Sequence, residues 1–212
     1  MEQLVVGSRS SVVGTRVGAV VLGAAFVALA AQISVPLPGT PVPMTLQPLA
    51  VLLVGGLLGA RLGAASMVLY LALGIAGLPV FTPTVPLLGI ARLLGPTGGY
   101  LLAYPVAAFA TGWITTDPGR KPGENPNPAP MPFNPGLAPG VSKPQWLRVG
   151  LGVLAGLALI HLGGLAQLVI LTGNLEGAAR LGTWPFLLGD LAKLAVAVAA
   201  LTKLTPAVRA RL

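Results

Sequence analysis

Two oppositely charged side chains lie three residues apart in an otherwise apolar stretch near the end of the chain. They are Asp190 and Lys193, in the sequence W-P-F-L-L-G-D-L-A-K. At this spacing both side chains share one face of a helix and can form an ion pair. A carboxylate accepts N–H donors and an ammonium donates to carbonyls or carboxylates, so the pair could bind a polar solute. The alternative interpretation is an ion pair that only fixes helix packing.

Few other residues in the apolar stretches have side chains that could react or bind a ligand. His161 is the single histidine of the chain, so it fits a hydrogen bond to a neighbouring helix or a ligand contact, and it cannot build a metal centre alone. Arg92 could attract an anionic solute or anchor a lipid headgroup. Tyr100 fits either packing or a ligand contact. We therefore predict no metal site.

The sequence contains none of the common catalytic or nucleotide-binding motifs. G-P-T-G-G-Y at 95–100 lacks the lysine of a phosphate-binding loop, and neither H-E-x-x-H nor G-x-S-x-G occurs. The chain has no cysteine, so thiolate chemistry is excluded. An intramembrane enzyme using Lys193 or His161 as a base is the less favoured alternative. We predict that the protein is not an enzyme and has no cofactor.

The composition indicates the environment in which these residues act. Of 212 residues, 54% are hydrophobic and only 8% are charged, against about 25% charged residues in soluble domains. So few charges cannot cover the surface of a water-soluble protein of this size. The net charge of +8 does not indicate nucleic acid, because the basic residues are scattered singly and form no patch. The composition therefore predicts an integral membrane protein.

A membrane-spanning helix needs about 20 mostly apolar residues, and fewer when it is buried among neighbours. On this basis the sequence predicts one all-α membrane domain over 1–212, a bundle of six transmembrane helices. The predicted spans are 17–33, 46–60, 62–78, 93–114, 149–172 and 184–204. The apolar run with Arg9 and Arg16 before it also fits a cleaved signal peptide, but we interpret it as a retained first helix.

The distribution of basic residues tests this count, because Lys and Arg concentrate in cytoplasmic loops. With six spans, the side that carries both termini has ten basic residues and the opposite side has two, Arg92 and Arg180. This bias predicts that both termini are cytoplasmic. The segment 115–147 then lies in the cytoplasm, and its nine prolines predict an extended or disordered linker. The external segments 34–45 and 79–96 are rich in proline, and the second is apolar enough to fold over the bundle.

Five motifs in this order resemble the BioY family, the biotin-binding S components of energy-coupling-factor (ECF) vitamin transporters. They are I-S-V-P-L-P…P-V-P-M-T-L-Q (33–47), G-A-R-L-G…Y-L-A-L-G-I-A-G-L-P-V-F (59–81), L-G-P-T-G-G-Y-L (94–101), His161 with Gly164, and P-F-L-L-G-D-L-A-K (185–193). The resemblance implies a six-helix S component in the plasma membrane of a prokaryote. It also implies a biotin pocket near the external face, with a related S component for another vitamin-like solute as the alternative.

The resemblance also implies roles for individual residues. In the family the aspartate and lysine of the last motif contact biotin, and they correspond to Asp190 and Lys193. The expected binding set is completed by the remaining polar residues of the motifs and loops: Gln47, Thr84, Arg92, Tyr100 and His161. Family members often carry a polar glycine/asparagine stretch after P-V-F, whereas this chain reads T-P-T-V-P-L-L-G-I-A-R, where Thr82 or Thr84 are the local polar substitutes.

The implied partners are membrane lipid and a transmembrane coupling subunit that carries two ATPase subunits. In the family, small residues of the first helix make much of the contact with the coupling subunit. The corresponding face of this chain is that of Gly23, Ala24 and Ala28.

Overall fold

A computed structural model describes residues 2–116, 144–209 and 211, with side chains from residue 13 onward. Its helices are α1 (Glu2–Gln32), α2 (Gln47–Leu58), α3 (Ala60–Ile75), α4 (Ile90–Leu94), α5 (Gly98–Thr115), α6 (Gln145–Thr172), α7 (Leu175–Gly182) and α8 (Leu187–Arg209). A 3-10 turn, Trp184–Phe186, precedes α8, and the antiparallel strands β1 (Ser34–Val35) and β2 (Met44–Thr45) form a short hairpin. The predicted helical class is confirmed.

Three helical stretches of the described residues are long and apolar enough to cross a membrane. They are Val13–Gln32, Gln145–Thr172 and Leu175–Arg209, and α2 and α3 are shorter apolar helices. Large apolar side chains such as Leu22, Ile170 and Leu188 are 71%, 77% and 82% exposed. Hydrocarbon chains, not water, suit such a surface. The molecule is therefore a membrane protein.

Helix α5 lies inside the bundle, where it packs against α2, α3 and α6. Helix α1 packs on α3, and α8 packs on α2 and α6. Small residues allow these close approaches, as is usual where helices associate without a hydrophobic driving force. Helix α2 ends at Leu58, and the next residue, Gly59, has a φ of +84° and turns the chain directly into α3. The long apolar run 46–78 is thus divided at Gly59.

Some helix ends differ from the predicted spans. The predicted fourth span starts at residue 93, but α4 ends at Leu94 and α5 starts only at Gly98. Gly95 is extended and Pro96 follows it, which separates the two helices. The predicted linker 115–147 lies mainly outside the described residues. Its first residue belongs to α5, and its last three belong to α6.

Two connections cover the end of the bundle where α2 and α5 begin. The β1–β2 hairpin precedes α2, and Val42 and Thr45 in it are buried. The segment 79–96 folds back so that Phe81, Thr82 and the short helix α4 pack on the bundle. Together these connections form the cover of an internal cavity.

Candidate ligand-binding site

The cavity beneath these connections is partly open, and its non-atom space together with the solvent at its opening amounts to about 540 Å³. Five segments of the chain form its walls, and most of the lining surface comes from aromatic, aliphatic and proline side chains. Its charged and polar members are Gln47, Arg92, His161, Asp190, Lys193 and the threonines Thr45, Thr82 and Thr97. A mostly apolar cavity with a few converging polar groups is the usual form of a small-molecule site.

Asp190 is the centre of the charged cluster. Its Oδ1 accepts a hydrogen bond from Nζ of Lys193 at 2.9 Å, and its Oδ2 lies 2.7 Å from Nε2 of His161. Asp190 and Lys193 are 4% and 7% exposed. The pairing across the helix spacing that the sequence predicts is therefore present, and His161 on α6 joins the pair to a second helix.

The hydrogen-bonding capacity of this cluster is partly unused. Because a carboxylate only accepts hydrogen bonds, Nε2 of His161 must carry the proton. Its Nδ1 is buried and has no hydrogen-bond partner within the described residues. Lys193 uses one of its three N–H donors on Asp190. The cluster can thus offer two further N–H donors from Lys193 to a ligand in the cavity, and Nδ1 of a neutral His161 can accept a hydrogen bond.

Arg92 is a second buried cation on the cavity wall. It is 1% exposed, and its guanidinium donates to the carbonyl oxygens of Thr82, at 2.9 Å, and Val85. Burial lowers the pKa of Arg92, with Tyr70 and Tyr104 acting in the opposite direction, although an arginine stays protonated near neutral pH. Because the Arg92 side chain is buried at the cavity wall, it does not extend to a lipid headgroup in this structure.

Gln47 is held at the cavity by neighbours on both sides. Its Nε2 donates to the Tyr70 hydroxyl at 2.6 Å, and its Oε1 accepts from Thr45 at 3.3 Å. Of the two threonines that follow Phe81, it is Thr82 that lines the cavity. The expected contact Thr84 is not among the lining residues, but its hydroxyl lies 3.0 Å from that of Thr82.

Tyr100 lines the cavity and also holds helix α7. Its hydroxyl donates to the carbonyl of Gly182 at 2.5 Å, and Thr40 donates to the neighbouring carbonyl of Leu181 at 2.5 Å. The ring stands edge-on to His161, with centroids 6.3 Å apart. Tyr100 therefore connects the charged cluster to the element that follows α6.

Replacing Tyr100 by phenylalanine removes the donor to Gly182 and leaves that buried carbonyl without it. We expect Tyr100→Phe to lower the free energy of unfolding by about 1–3 kcal/mol, measured by thermal unfolding in detergent. Thr202→Val is the control, because among the described residues the Thr202 hydroxyl bonds only to a carbonyl of its own helix, that of Val198. An equal melting temperature for Tyr100→Phe and the unsubstituted protein would contradict a role of the Tyr100 hydroxyl in fixing α7.

The predicted docking face on α1 is not an outer surface in this structure. Gly23 and Ala24 are buried, and a Cβ on Gly23 would lie 2.6 Å from Oγ of Ser66 on α3. Ala28 packs against the same core. Contact of this face with a coupling subunit stays a prediction, since small residues serve close packing inside a bundle as readily as packing against a partner.

Several cavity residues were not predicted from the sequence. Thr45, Tyr104 and Phe186 line the cavity beside the expected residues. Thr45 and Phe186 lie within the quoted motifs at 33–47 and 185–193, which was an available signal. Tyr104 is 3% exposed, and nothing in its sequence surroundings distinguishes it from a packing residue.

The fold and this site define a class of protein, a helical membrane protein with a cavity for a small molecule between its helices. A model of the BioY family matches residues 7–210. The chain belongs to the BioY family.

Individual relatives agree with this assignment. The chain is 36% identical over 182 residues to the probable biotin transporter BioY of Pyrococcus horikoshii, covering 86% of this chain and 91% of the relative. It is 34% identical over 173 residues to the biotin transporter BioY of Thermotoga maritima, covering 82% and 85%.

A solved structure is also similar. It is the S-component for biotin from an ECF-type ABC transporter, with a TM-score of 0.70, 25% identity and 91% coverage of both chains. Because the family and this structure are transporter components, the enzyme alternative is rejected.

Proposed function

We propose that this protein is the biotin-binding membrane subunit of an ECF-type uptake transporter. The observation that carries the proposal is the buried cluster of Asp190, Lys193 and His161 on the wall of a largely apolar cavity, in a chain of the BioY family. Biotin combines a polar ureido ring and a carboxylate with an apolar ring and chain. A cavity of this mixed character matches that combination.

The charge of the cavity supports an anionic solute. Among the described residues it contains one carboxylate, Asp190, and two cations, Lys193 and Arg92. Asp190 neutralises Lys193 directly, whereas Arg92 bonds only to backbone carbonyls in the described part of the chain. The cavity thus keeps an excess of positive charge, which favours a ligand that carries a carboxylate.

We propose the six-span topology with both termini in the cytoplasm of a prokaryotic cell. Each of the six predicted spans overlaps at least one described helix, and the basic residues favour this orientation. The cavity lies at the end opposite to the chain termini, so it would open to the outside of the plasma membrane. A coupling subunit with its ATPase subunits would then deliver the solute inward, because this chain contains no nucleotide-binding motif.

The direct test is a comparison of ligands on the purified full chain. We expect isothermal titration to give a dissociation constant for biotin at least about 100-fold below those for thiamine and riboflavin, since these vitamins lack the carboxylate. Native mass spectrometry of the extracted protein should show a retained mass equal to that of biotin. Equal affinities, or tighter binding of another vitamin, would overturn the assignment to biotin in favour of a related solute.

A further inference from the structure

A second concave surface lies far along the bundle from the ligand cavity, where α3 begins and α5 ends. It is lined by Ala60, Arg61, Phe109, Trp113 and Thr116, and we call it the α3–α5 groove. The candidate ligand site uses none of these residues. The groove therefore requires its own explanation.

The fold forms this groove by bringing two backbones together. A Cβ on Gly112 would lie only 2.4 Å from the backbone nitrogen of Ala60, so α5 rests directly on the turn between α2 and α3. The side chains on either side of this backbone contact are separated from each other and form the walls of the groove. On α5, Phe109 and Trp113 are four residues apart and pack edge to face, with ring centroids 5.5 Å apart.

The groove carries positive charge that no described acidic residue offsets. Arg61 is exposed and makes no ion pair or hydrogen bond with any residue that the structure describes. Nη1 of Arg209 donates to the hydroxyl of Thr116 at 3.0 Å, which brings a second guanidinium to the edge of the groove. The acidic side chains described, Glu176 and Asp190, belong to α7 and to the start of α8.

An apolar path leads from the groove along α5. Leu102, Val106 and Trp113 are 52%, 57% and 62% exposed, and all lie on the outer side of this helix. The groove is at the helix ends, where a tryptophan and a basic residue mark the boundary between hydrocarbon and headgroups. A single molecule with an anionic head and apolar chains would match both parts of this surface.

We propose that the α3–α5 groove binds an anionic phospholipid. Its phosphate would accept hydrogen bonds from the Arg61 guanidinium, whose planar donors suit phosphate oxygens. Thr116 and Arg209 would border the headgroup, and an acyl chain would follow Trp113 and Val106. The inference uses the membrane location of the chain but not the identity of the solute in the cavity.

Native mass spectrometry with defined lipids tests this proposal. Palmitoyl-oleoyl-phosphatidylglycerol or the matching phosphatidylcholine is added to the full-length protein in detergent, and bound lipid is counted. We expect preferential retention of phosphatidylglycerol, and about a fivefold weaker affinity for it in Arg61→Ala, the effect of one basic residue near an anionic headgroup. Arg180→Ala is the matched control, because Arg180 is also an exposed arginine but lies on α7.

Each arm of the experiment has a decisive outcome. The proposal is overturned if Arg61→Ala retains phosphatidylglycerol as the unsubstituted protein does, if Arg180→Ala loses it equally, or if the two lipids bind alike. Displacement by inorganic phosphate at millimolar concentration would assign the groove to free phosphate instead. Biotin titration of Arg61→Ala should match the unsubstituted protein, so a failure of the lipid proposal is distinguishable from a failure of the proposed function.

Discussion

Asp190→Asn is expected to weaken biotin binding by more than about 100-fold. The asparagine has almost the same shape, but it removes the charge that compensates Lys193 and replaces one acceptor oxygen by a donor. Removing one member of a buried ion pair costs about 3–5 kcal/mol in stability, because the other charge stays buried and unpaired. The geometry of the cluster that would contact biotin is then lost. Isothermal titration of the purified variant measures the loss.

The matched control is Glu176→Gln, which removes one member of an exposed ion pair instead of a buried one. Glu176 also pairs with a cation, Arg180, at 2.7 Å, but both side chains are more than 70% exposed. Glu176→Gln should therefore leave the biotin affinity unchanged, since exposed ion pairs contribute little. Similar losses in Glu176→Gln and Asp190→Asn would contradict a specific role for the buried pair.

A double substitution separates ligand recognition from simple helix packing. Replacing Asp190 by leucine together with Lys193 by methionine removes both charges while keeping apolar volume. Such replacements of a buried pair are often neutral or stabilising. We expect the double variant to melt at least as high as Asp190→Asn and still to bind no biotin. Biotin binding by the double variant would show that the pair serves packing alone.

Gly99→Ala is expected to destabilise the packing of α5 against α6. Gly99 on α5 faces Gly163 on α6, and a Cβ on Gly99 would lie 2.1 Å from the Gly163 carbonyl oxygen. Because this neighbour is backbone, the two helices must separate to admit the methyl group. We expect a loss of about 1–3 kcal/mol in the free energy of unfolding. Biotin affinity should also fall, since the adjacent Tyr100 and His161 move apart with their helices.

Gly150→Ala provides the control for this substitution. Gly150 lies in α6, the helix that Gly99 faces, but a Cβ on Gly150 would meet no atom within 4 Å. Its replacement should keep or raise the melting temperature, because alanine favours the helix by about 1 kcal/mol relative to glycine. Thermal unfolding in detergent compares the two variants. An equal melting temperature for both would show that α5 and α6 do not pack as closely as described.

Much of the candidate site can be predicted from local spacing. Asp190 and Lys193 are one helical turn apart, so their shared face and mutual pairing follow from helix geometry alone. The contact of His161 with Asp190 spans 29 residues. It depends on which helices are neighbours and on their rotation, and an isolated histidine in an apolar helix carries neither kind of information.

The orientation of the apolar helices about their own axes is likewise not predictable from the sequence. Gly23 and Ala24 form a strip of small residues that suits either a partner or the inside of the bundle, and the structure turns it towards α3. A membrane helix is apolar on all sides, because both lipid and protein neighbours are apolar. Hydropathy therefore does not say which side faces inward.

The sequence by itself determined the membrane location, the helical class, the apolar segments and the charged pair of Asp190 and Lys193. These properties follow from composition and from the fixed geometry of one helix. Only the tertiary structure decided that Arg92 and His161 meet this pair in one cavity, and that the small residues of α1 pack inward. Contacts between distant segments depend on how helices pack, and packing is decided by the fit of all the side chains together.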